Sequence, residues 1–345
     1  GICALFLVFY SIMTGNSVSA KRAVIMYMVK MGAEFAGRTY DTLSSLAFAM
    51  IIICAENVNI IYNGKIRDGH VGNYTTSDVQ MFKCCDCNTI WHEDVIDHSN
   101  YYETEKYRSS LEGTTDIKDF YKLHDRENED KFRYIGMENL RNKKIADIGC
   151  GGGAFLDFLY SVADEIIAIE PSQIYRRELD KKGYKTYAYA ADAIKEYGNK
   201  VDVVTSFDVI EHVENPMQFV KEAYDLLAEN GVAYIGTPTD AEVMRQLLGE
   251  TYESFLFSTQ HPWILCEKSF EYILNCLNID DIEWDVKYYQ RYGLSNLLYW
   301  LKNKKPGGNY KFDFVSNEID LAWKSDLERQ NKSDYIVLRI KKIKK

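Results

Sequence analysis

The stretch that decides the fold is residues 145–156, IADIGCGGGAFL. An apolar strand-like run leads into a glycine-rich turn, and an apolar helical run follows it. Glycine is needed where the backbone turns with a positive φ, and where a ligand approaches the chain without meeting a Cβ. The stretch therefore predicts a strand, a ligand-binding turn and a helix.

Outward from this turn, apolar strand-like runs alternate with amphipathic helical stretches. The strand-like runs are residues 144–148, 165–169, 185–188, 201–206 and 232–236. Such alternation is typical of βαβ units, whose parallel sheet is covered by helices on both faces. We predict an α/β fold with a doubly wound, mostly parallel sheet.

A carboxylate lies at the end of the second predicted strand. Glu170 follows residues 166–169 and stands seventeen positions after Gly153. A carboxylate placed there can accept both hydroxyls of a ribose. Dinucleotide enzymes share this arrangement, and GCGGGA at residues 149–154 fits their G-x-G-x-x-A form. The loop alone therefore leaves the choice of cofactor open.

Four motifs in residues 144–238 together resemble the class I S-adenosylmethionine-dependent methyltransferases. They are Asp147-x-Gly149-x-Gly151-x-Gly153, then Glu170, then Ala191-Asp192, and finally residues 202–216, DVVTSFDVIEHVENP. The subgroup most similar is the ubiquinone-biosynthesis-like and bacterial sugar (polysaccharide-biosynthesis) methyltransferases, in which an acid-His-Val segment ends the fourth strand. The resemblance extends over roughly residues 52–341 and leaves the first fifty unexplained.

The resemblance implies a Rossmann-like seven-stranded sheet and S-adenosylmethionine as cofactor. It implies that the donor is held by Asp147, Gly149, Gly151, Gly153, Glu170, Ala191, Asp192, Phe207 and Asp208. Among these, Ala191 and Asp192 would contact the adenine, and Asp208 would lie near the methionine end. The implied activity is methyl transfer to a small polar acceptor, favoured to be a hydroxyl of a sugar or nucleotide-linked sugar in surface polysaccharide biosynthesis. Methylation at nitrogen or carbon is not separated from O-methylation.

Two histidines are candidates for the general base. His212 follows the fourth strand, at the sheet edge where open α/β folds bind ligands, and imidazole titrates near neutral pH. His261 precedes Pro262 and Trp263. A structural interpretation stays equally open for both, with His212 bonded to backbone and His261 packed in a lid.

The C-terminal part predicts a helix at 270–277 and strands at 283–289 and 334–340. These strands match the antiparallel sixth and seventh strands of the family. Residues 290–333 would be an insert between them, standing at a sheet end as a lid over the acceptor. Its aromatic residues suit a sugar or an apolar ring, or form a small core of the insert itself.

Cys84-Cys85-Asp86-Cys87 contains one C-x-x-C pair, and Cys54 lies thirty residues upstream. Related proteins carry two such pairs, so one interpretation is a structural zinc site held by Cys54, Cys84 and Cys87 with Cys85 or a histidine as fourth ligand. The pattern is incomplete, since Asn57 stands where a fourth cysteine would. A ribbon held by hydrogen bonds without metal is the alternative.

Composition limits the protein's partners and compartment. The formal charge of −10 opposes nucleic-acid binding, and eight scattered cysteines indicate reduced thiols in the cytoplasm. Residues 2–13 are apolar but too short to span a bilayer, so no stable membrane insertion is expected. We expect an extension at 1–50, a ribbon-like Cys/His segment at 51–100, a helical lead-in at 101–140 and the methyltransferase domain at 141–345. Oligomeric state is left open.

Two alternative functions are carried forward. The first is an NAD-dependent sugar-modifying oxidoreductase, disfavoured because the single fingerprint is followed by residues 208–216 and no Tyr-x-x-x-Lys pair stands at a fitting place. The second is a binding or scaffold protein that keeps the methyltransferase fold without turnover. The intact Asp147, glycines and Glu170 favour retained cofactor binding.

Overall fold

A computed structural model describes residues 58–92, 102–103 and 117–344 of the chain. The predicted extension at 1–50 and Cys54 lie outside these residues. The described residues divide into two compact units. The smaller contains residues 58–60 and 82–86, where the Asn59 amide donates to the Cys85 sulfur at 3.3 Å. The larger contains residues 61–81 and the described residues from 87 onward.

A four-stranded sheet forms the ribbon. Its strands are β1 (Val58–Gly64), β2 (Val79–Cys84), β3 (Ile90–His92) and β9 (Trp263–Ile264), hydrogen-bonded in that order. Strands β3 and β9 pair antiparallel. The sequence therefore builds the last strand of the ribbon from a segment that follows the parallel strands of the main sheet in the chain.

The main sheet has seven strands in the order β10-β11-β8-β7-β4-β5-β6. Their bounds are β4 (Lys144–Ile148), β5 (Glu165–Ile169), β6 (Lys185–Tyr187), β7 (Val201–Phe207), β8 (Leu227–Pro238), β10 (Ile282–Tyr289) and β11 (Tyr335–Lys342). Strands β4 to β8 run parallel to one another, and β11 runs antiparallel to both β8 and β10. The predicted doubly wound, mostly parallel sheet is confirmed.

Helices connect these strands. They are α1 (Ile117–His124), α2 (Glu127–Ile135), α3 (Ala154–Leu159), α4 (Gln173–Lys181), α5 (Ala190–Tyr197), α6 (Pro216–Leu226), α7 (Glu242–Leu248), α8 (Glu250–Leu256), α9 (Glu267–Leu277), α10 (Leu294–Asn303) and α11 (Asn317–Arg329), with 3₁₀ turns at Met137–Asn139 and Ile210–His212. Helices α10 and α11 occupy the predicted insert at 290–333. No helix within the described ranges is long and apolar enough to cross a membrane.

Alternation along β4 explains how the sheet is covered on both faces. Ile145 belongs to one buried cluster, whereas Ala146 and Ile148 belong to another. Successive strand residues point to opposite faces, and a parallel strand buried on both faces reads as a near-continuous apolar run. Because β4, β5, β6, β7 and β8 are parallel, their carboxyl ends share one edge of the sheet.

A third buried cluster joins three segments that are distant in the chain. Ile66 and Met81 come from the ribbon, Tyr252 and Phe257 come from α8 and its end, and Trp300 comes from α10. Ile66, Met81 and Phe257 have no exposed surface. The ribbon and the insert therefore share one apolar core.

Candidate functional site

The glycine turn joins β4 to α3 with three residues in positive-φ conformations. Gly149, Gly151 and Gly153 have φ values of 77°, 55° and 83°. A Cβ on Gly149 would come within 2.3 Å of Val209 Cγ2, and one on Gly153 within 2.6 Å of Leu179 Cδ2. Both the backbone conformation and the close packing therefore require glycine.

Glu170 lies against the glycine turn at the end of β5. Its carboxylate accepts the Gly151 N–H at 2.8 Å and the Ser172 N–H at 2.8 Å. The side chain is buried, and Arg176 donates to its carbonyl oxygen at 2.6 Å. The sequence prediction that this acid lies beside the loop agrees with the structure. We call residues 149–153 and Glu170 the donor edge.

Asp147 is buried on β4 below the glycine turn. The Thr205 hydroxyl donates to its Oδ1 at 2.7 Å. Burial raises the pKa of Asp147 to about 6, although the positive charge of Lys131 opposes the shift. The carboxyl group thus lies within reach of protonation near neutral pH and helps to join β4 to β7.

Ala191 and Asp192 lie at the start of α5, after the edge strand β6. Asp192 pairs with Lys195 at 2.8 Å, and the side chain is 44 % exposed. The structure brings these residues to the same sheet edge as Glu170. Their role toward the adenine stays a prediction.

Phe207 and Asp208 end β7 and begin the next turn. Asp208 has a φ of 57°, and its N–H donates to the Gly236 carbonyl at 3.0 Å. Its carboxylate accepts the Tyr335 hydroxyl at 3.3 Å and lies 3.6 Å from Arg291 Nη1. The helix cap that an aspartate often provides is supplied instead by Asn215, whose side chain accepts the Gln218 N–H.

Lys131 is a site residue that sequence reasoning missed. Its Nζ lies 5.7 Å from the ring centroid of Phe155 and 5.9 Å from that of Phe207. The lysine charge also lowers the pKa of Asp147 against the effect of burial. The ammonium group is therefore aimed at the donor edge from α2, a helix whose sequence reads only as a charged surface.

The buried Glu211 and the half-buried His212 and His261 form a group beside β7. The two imidazole rings have centroids 4.7 Å apart at an interplanar angle of 78°, and we call them the histidine pair. His212 Nδ1 donates to the Gln260 carbonyl at 2.6 Å, and its Nε2 lies 3.9 Å from Glu211 Oε1. The structure thus brings together both histidines that the sequence singled out, and adds an acid.

The electrostatics of this group favour neutral forms. Burial, reinforced by the Asp208 carboxylate, raises the pKa of Glu211 to about 8. Burial and then the neighbouring His212 hold the pKa of His261 well below its ordinary value. Thr237 donates to Glu211 Oε2 at 2.9 Å, whereas Glu211 Oε1 and His261 Nδ1 are buried without a hydrogen-bond partner. Two polar atoms are therefore left to meet a ligand.

The same group has the composition of a metal site. Glu211, His212 and His261 each offer one ligand atom, and these atoms lie within 4.8 Å of one another. Two imidazoles and a carboxylate suit a divalent transition metal with open positions. Sequence reasoning named the histidines but missed this possibility, because several helices and strand β8 separate residue 261 from residue 212 in the chain.

Tyr102 was also missed by the sequence analysis. Its hydroxyl lies 3.3 Å from His212 Nδ1, and its ring meets the imidazole edge-on at 5.8 Å. The adjacent Glu103 accepts the Tyr189 hydroxyl at 2.5 Å. Residues 102–103 therefore contact both Tyr189, directly before α5, and His212 of the histidine pair.

A cavity of about 1090 Å³ opens beside the end of β7. Its wall includes Phe207 and Asp208, helix α2 with Lys131, and the insert. The insert contributes Arg291, Ser295, Asn296, Tyr310, Lys311, Asp320 and Lys324. The predicted lid segment thus lines a large cavity, with both charged and apolar residues in its wall, at the strand end that carries Asp208.

The remaining cysteines divide into a spacer and an untested cluster. Cys150 is buried in the glycine turn, and burial raises the pKa of its thiol well above the ordinary value, so the thiol is unreactive. Cys87 is buried, and its sulfur lies 3.1 Å from Thr89 Oγ1. The zinc site of Cys54, Cys84 and Cys87 stays a prediction.

Comparison of the sequence with known families agrees with the motifs. Residues 121–283 match a family described as a methyltransferase domain, and residues 1–63 match one described as a competence protein. The ubiquinone biosynthesis O-methyltransferase of Pelagibacter ubique is 27% identical over 192 residues, which cover 54% of this chain and 70% of that protein. The enzyme of the same name from Proteus mirabilis is 28% identical over 162 residues, covering 44% and 64%.

Two solved methyltransferase structures are similar to part of the chain. A SAM-dependent methyltransferase from Archaeoglobus fulgidus is 16% identical, covers 71% of this chain and all of its own, and has a TM-score of 0.42. The plantazolicin methyltransferase BpumL, solved with a substrate analogue and SAH, is 16% identical, covers 71% and 93%, and has a TM-score of 0.44.

The motifs, the sheet order and the family match support S-adenosylmethionine as the cofactor and favour a methyltransferase over both alternatives, the NAD-dependent oxidoreductase and the scaffold without turnover. Asp147 and the three glycines lie on β4 and the turn after it, and Glu170 lies beside that turn at the end of β5. The match to a methyltransferase domain begins in α1 and extends to β10. Residues 121–283 match a methyltransferase domain, and with the motifs this match supports a class I S-adenosylmethionine-dependent methyltransferase.

Proposed function

We propose that the enzyme methylates a hydroxyl group of a small polar acceptor, a sugar or a nucleotide-linked sugar. The observation that carries this proposal is the wall of the cavity beside Asp208. Eleven of its 24 lining residues are charged: Arg126, Glu127, Glu129, Asp130, Lys131, Arg133, Asp208, Arg291, Lys311, Asp320 and Lys324. An acceptor rich in hydroxyl groups or phosphate can satisfy such groups, whereas an alkyl chain would leave them unpaired.

The donor would lie along the sheet edge. Glu170 would exchange its bond to the Gly151 N–H for the ribose hydroxyls, and the turn 149–153 would approach the ligand without Cβ atoms. Asp192 would face the adenine. The ammonium group of Lys131 would pair with the carboxylate of the methionine end, and Asp208 with its amine. Lys131 and Asp208 each carry a charge opposite to that of the donor group they would meet.

The histidine pair would then act on the acceptor. S-adenosylmethionine, when bound, would supply the methyl group, which the acceptor oxygen would take as the bond from carbon to sulfur breaks, leaving S-adenosylhomocysteine. The proton of the hydroxyl passes to an imidazole, for which His261 is suited because burial keeps it neutral. A positioned base contributes about 10²–10⁴ in rate.

A divalent cation held by Glu211, His212 and His261 is an alternative way to activate the hydroxyl. A cation lowers the pKa of a bound hydroxyl, so the oxygen would attack as an alkoxide. Methyl transfer that is abolished by EDTA and restored by Mg²⁺, Mn²⁺ or Zn²⁺ would identify this route. Activity that is unchanged by EDTA would leave the imidazole as the base.

A phenolic hydroxyl is the second candidate acceptor. The curated relatives are named for ubiquinone biosynthesis, and Tyr134, Tyr292 and Tyr310 are among the residues that line the same cavity. The cavity's many charged groups favour the sugar over this candidate.

Two experiments test the proposal in order. Calorimetric titration with S-adenosylmethionine, S-adenosylhomocysteine and NAD should show binding of the first two, weakened in Glu170→Ala. Release of S-adenosylhomocysteine is then followed with nucleotide sugars, free sugars and catechols as acceptors. Turnover of catechols alone would refute the sugar assignment, and NAD binding alone would refute the donor assignment.

A further inference from the structure

The ribbon contacts the histidine pair through a short buried segment that follows α8. We call residues Ser258, Thr259 and Gln260 the support loop. These residues are 0%, 2% and 1% exposed. The Gln260 carbonyl accepts the Nδ1 proton of His212 at 2.6 Å, and His261 follows directly in the chain. The position of this loop therefore fixes both imidazoles.

The ribbon backbone holds the support loop on one side. The Arg67 N–H donates to the Phe257 carbonyl at 3.0 Å, and the Thr259 N–H donates to the Arg67 carbonyl at 2.9 Å. Arg67 and Ser258 form a parallel bridge. The loop is thus paired with the ribbon like a short strand, although residues 67 and 258 are far apart in the chain.

Two ribbon side chains complete the attachment. His92 is buried, and its Nε2 donates to the Ser258 carbonyl at 3.1 Å. Asp68 Oδ1 accepts the Thr259 hydroxyl at 2.9 Å. These two side-chain hydrogen bonds join the ribbon to Ser258 and Thr259, which are consecutive residues of the support loop. Those residues come immediately before the one that bonds His212, so a shift of either would move the Gln260 carbonyl.

We propose that His92 and Asp68 are positioning residues, which orient the histidine pair by holding the support loop through Ser258 and Thr259. The ribbon then completes the acceptor half of the site rather than forming a separate binding module. The proposal rests on the proposed function, since it gives the histidine pair a task at the acceptor. The predicted zinc ligands play no part in it.

The orientation of His212 can be measured without an acceptor. Its bond to the Gln260 carbonyl requires the proton on Nδ1, so the tautomer reports the position of the loop. The full chain is labelled with ¹⁵N-histidine, of which there are six, and the His212 signals are assigned with His212→Gln. The measurement is made at a pH where these rings are neutral.

The wild type should show a single His212 tautomer with a slowly exchanging Nδ1 proton. In His92→Leu, which keeps the bulk but removes the donor, the tautomers should mix and the proton should exchange at least about tenfold faster, the loss expected for one hydrogen bond. His92→Gln restores a donor and should recover the wild-type signal. Asp68→Ala should show a smaller change in the same direction.

A matched control is Thr89→Val, which removes the ribbon hydrogen bond from Thr89 to Ser269 Oγ at 2.8 Å without touching the support loop. It should leave the His212 signals unchanged. S-adenosylmethionine affinity should stay within twofold in every folded variant. If His92→Leu does not fold, Thr259→Val removes the donor to Asp68 from the other side and should match Asp68→Ala.

A wild-type His212 signal in folded His92→Leu and in both Asp68→Ala and Thr259→Val would overturn the proposal. The proposal is equally refuted if Thr89→Val disturbs His212 as much as His92→Leu does, because general loosening would then explain the effect. Neither result depends on which acceptor is methylated. Failure of the acceptor screen would leave this measurement intact and count only against the proposed function.

Discussion

The donor edge is built in a different way from the histidine pair and the cavity. The donor edge is made by the ends of β4 and β5 and a turn of five residues, and most of its bonds come from backbone N–H groups. The histidine pair lies between β7 and a loop after α8, and the cavity wall comes from α2 and the insert. Local geometry fixes the first half, and packing between distant segments fixes the second.

The largest expected effect is that of substituting the histidine pair, which should lower turnover but leave donor binding unchanged. His261→Ala and His212→Ala should each lower kcat about 10²–10⁴-fold, because a positioned base or metal ligand is lost. The affinity for S-adenosylmethionine should stay within twofold. Turnover and calorimetric titration are measured on the same preparations. A large loss of donor affinity in either variant would mean that the histidine pair also holds the donor, and it would contradict the comparison.

The pH dependence of stability should identify Asp147 as a costly buried charge on β4, directly before the donor edge. Its pKa of about 6 lies above the unfolded value near 4, so the folded state binds more protons between these values. The contribution of Asp147 to the free energy of unfolding is then greatest at low pH and falls by about 3 kcal/mol as pH rises through this window, at about 1.4 kcal/mol per unit. Asp147→Asn should flatten this part of the profile, as measured by urea unfolding.

A suitable control is Asp157→Asn, since Asp157 is partly exposed and pairs with Lys182 at 2.6 Å. It should leave the slope between pH 4 and 6 nearly unchanged. An equal flattening in both variants would mean that the slope arises from net charge rather than from one buried carboxyl.

Loss of the Glu170 carboxylate should weaken the binding of S-adenosylmethionine and leave the histidine pair and the cavity unchanged. Glu170→Ala removes the acceptor of the Gly151 and Ser172 N–H groups and the predicted partner of the ribose. We expect donor affinity to fall about 30-fold, which is about 2 kcal/mol. Glu196→Ala, at an exposed position on the neighbouring helix, should bind S-adenosylmethionine normally. Comparable weakening of S-adenosylmethionine binding in Glu196→Ala would show that the loss comes from the change in the net charge of the protein and not from Glu170 itself.

The smallest expected effect concerns Lys131. Lys131→Met keeps the apolar stem near Phe155 and Phe207 but removes the charge. An ion pair in a partly open cleft contributes about 1 kcal/mol, so donor affinity should fall about fivefold. The loss should shrink at high salt. An unchanged affinity at low salt would place the methionine carboxylate elsewhere.

The same contrast explains what the sequence could predict. The strands and the donor edge followed from hydrophobic period, glycine spacing and Glu170, because each depends on neighbours in the chain. Lys131 was not found, since its charge on α2 reads as a solvated surface until Phe155 and Phe207 are placed beneath it. The contact between His212 and His261 needed the pairing of the ribbon with the support loop, which no local pattern encodes.

The apolar core shared by the ribbon and the insert limits how this enzyme can be recombined with relatives. Ile66 and Met81 pack in the same cluster as Trp300, so exchanging the insert alone would present foreign side chains to an unchanged partner surface. A swap that leaves cavities or overlaps in such a cluster costs about 2–5 kcal/mol. The ribbon and the insert are therefore coupled by their packing. We expect a transfer of acceptor specificity from a relative to succeed only when both segments are exchanged together.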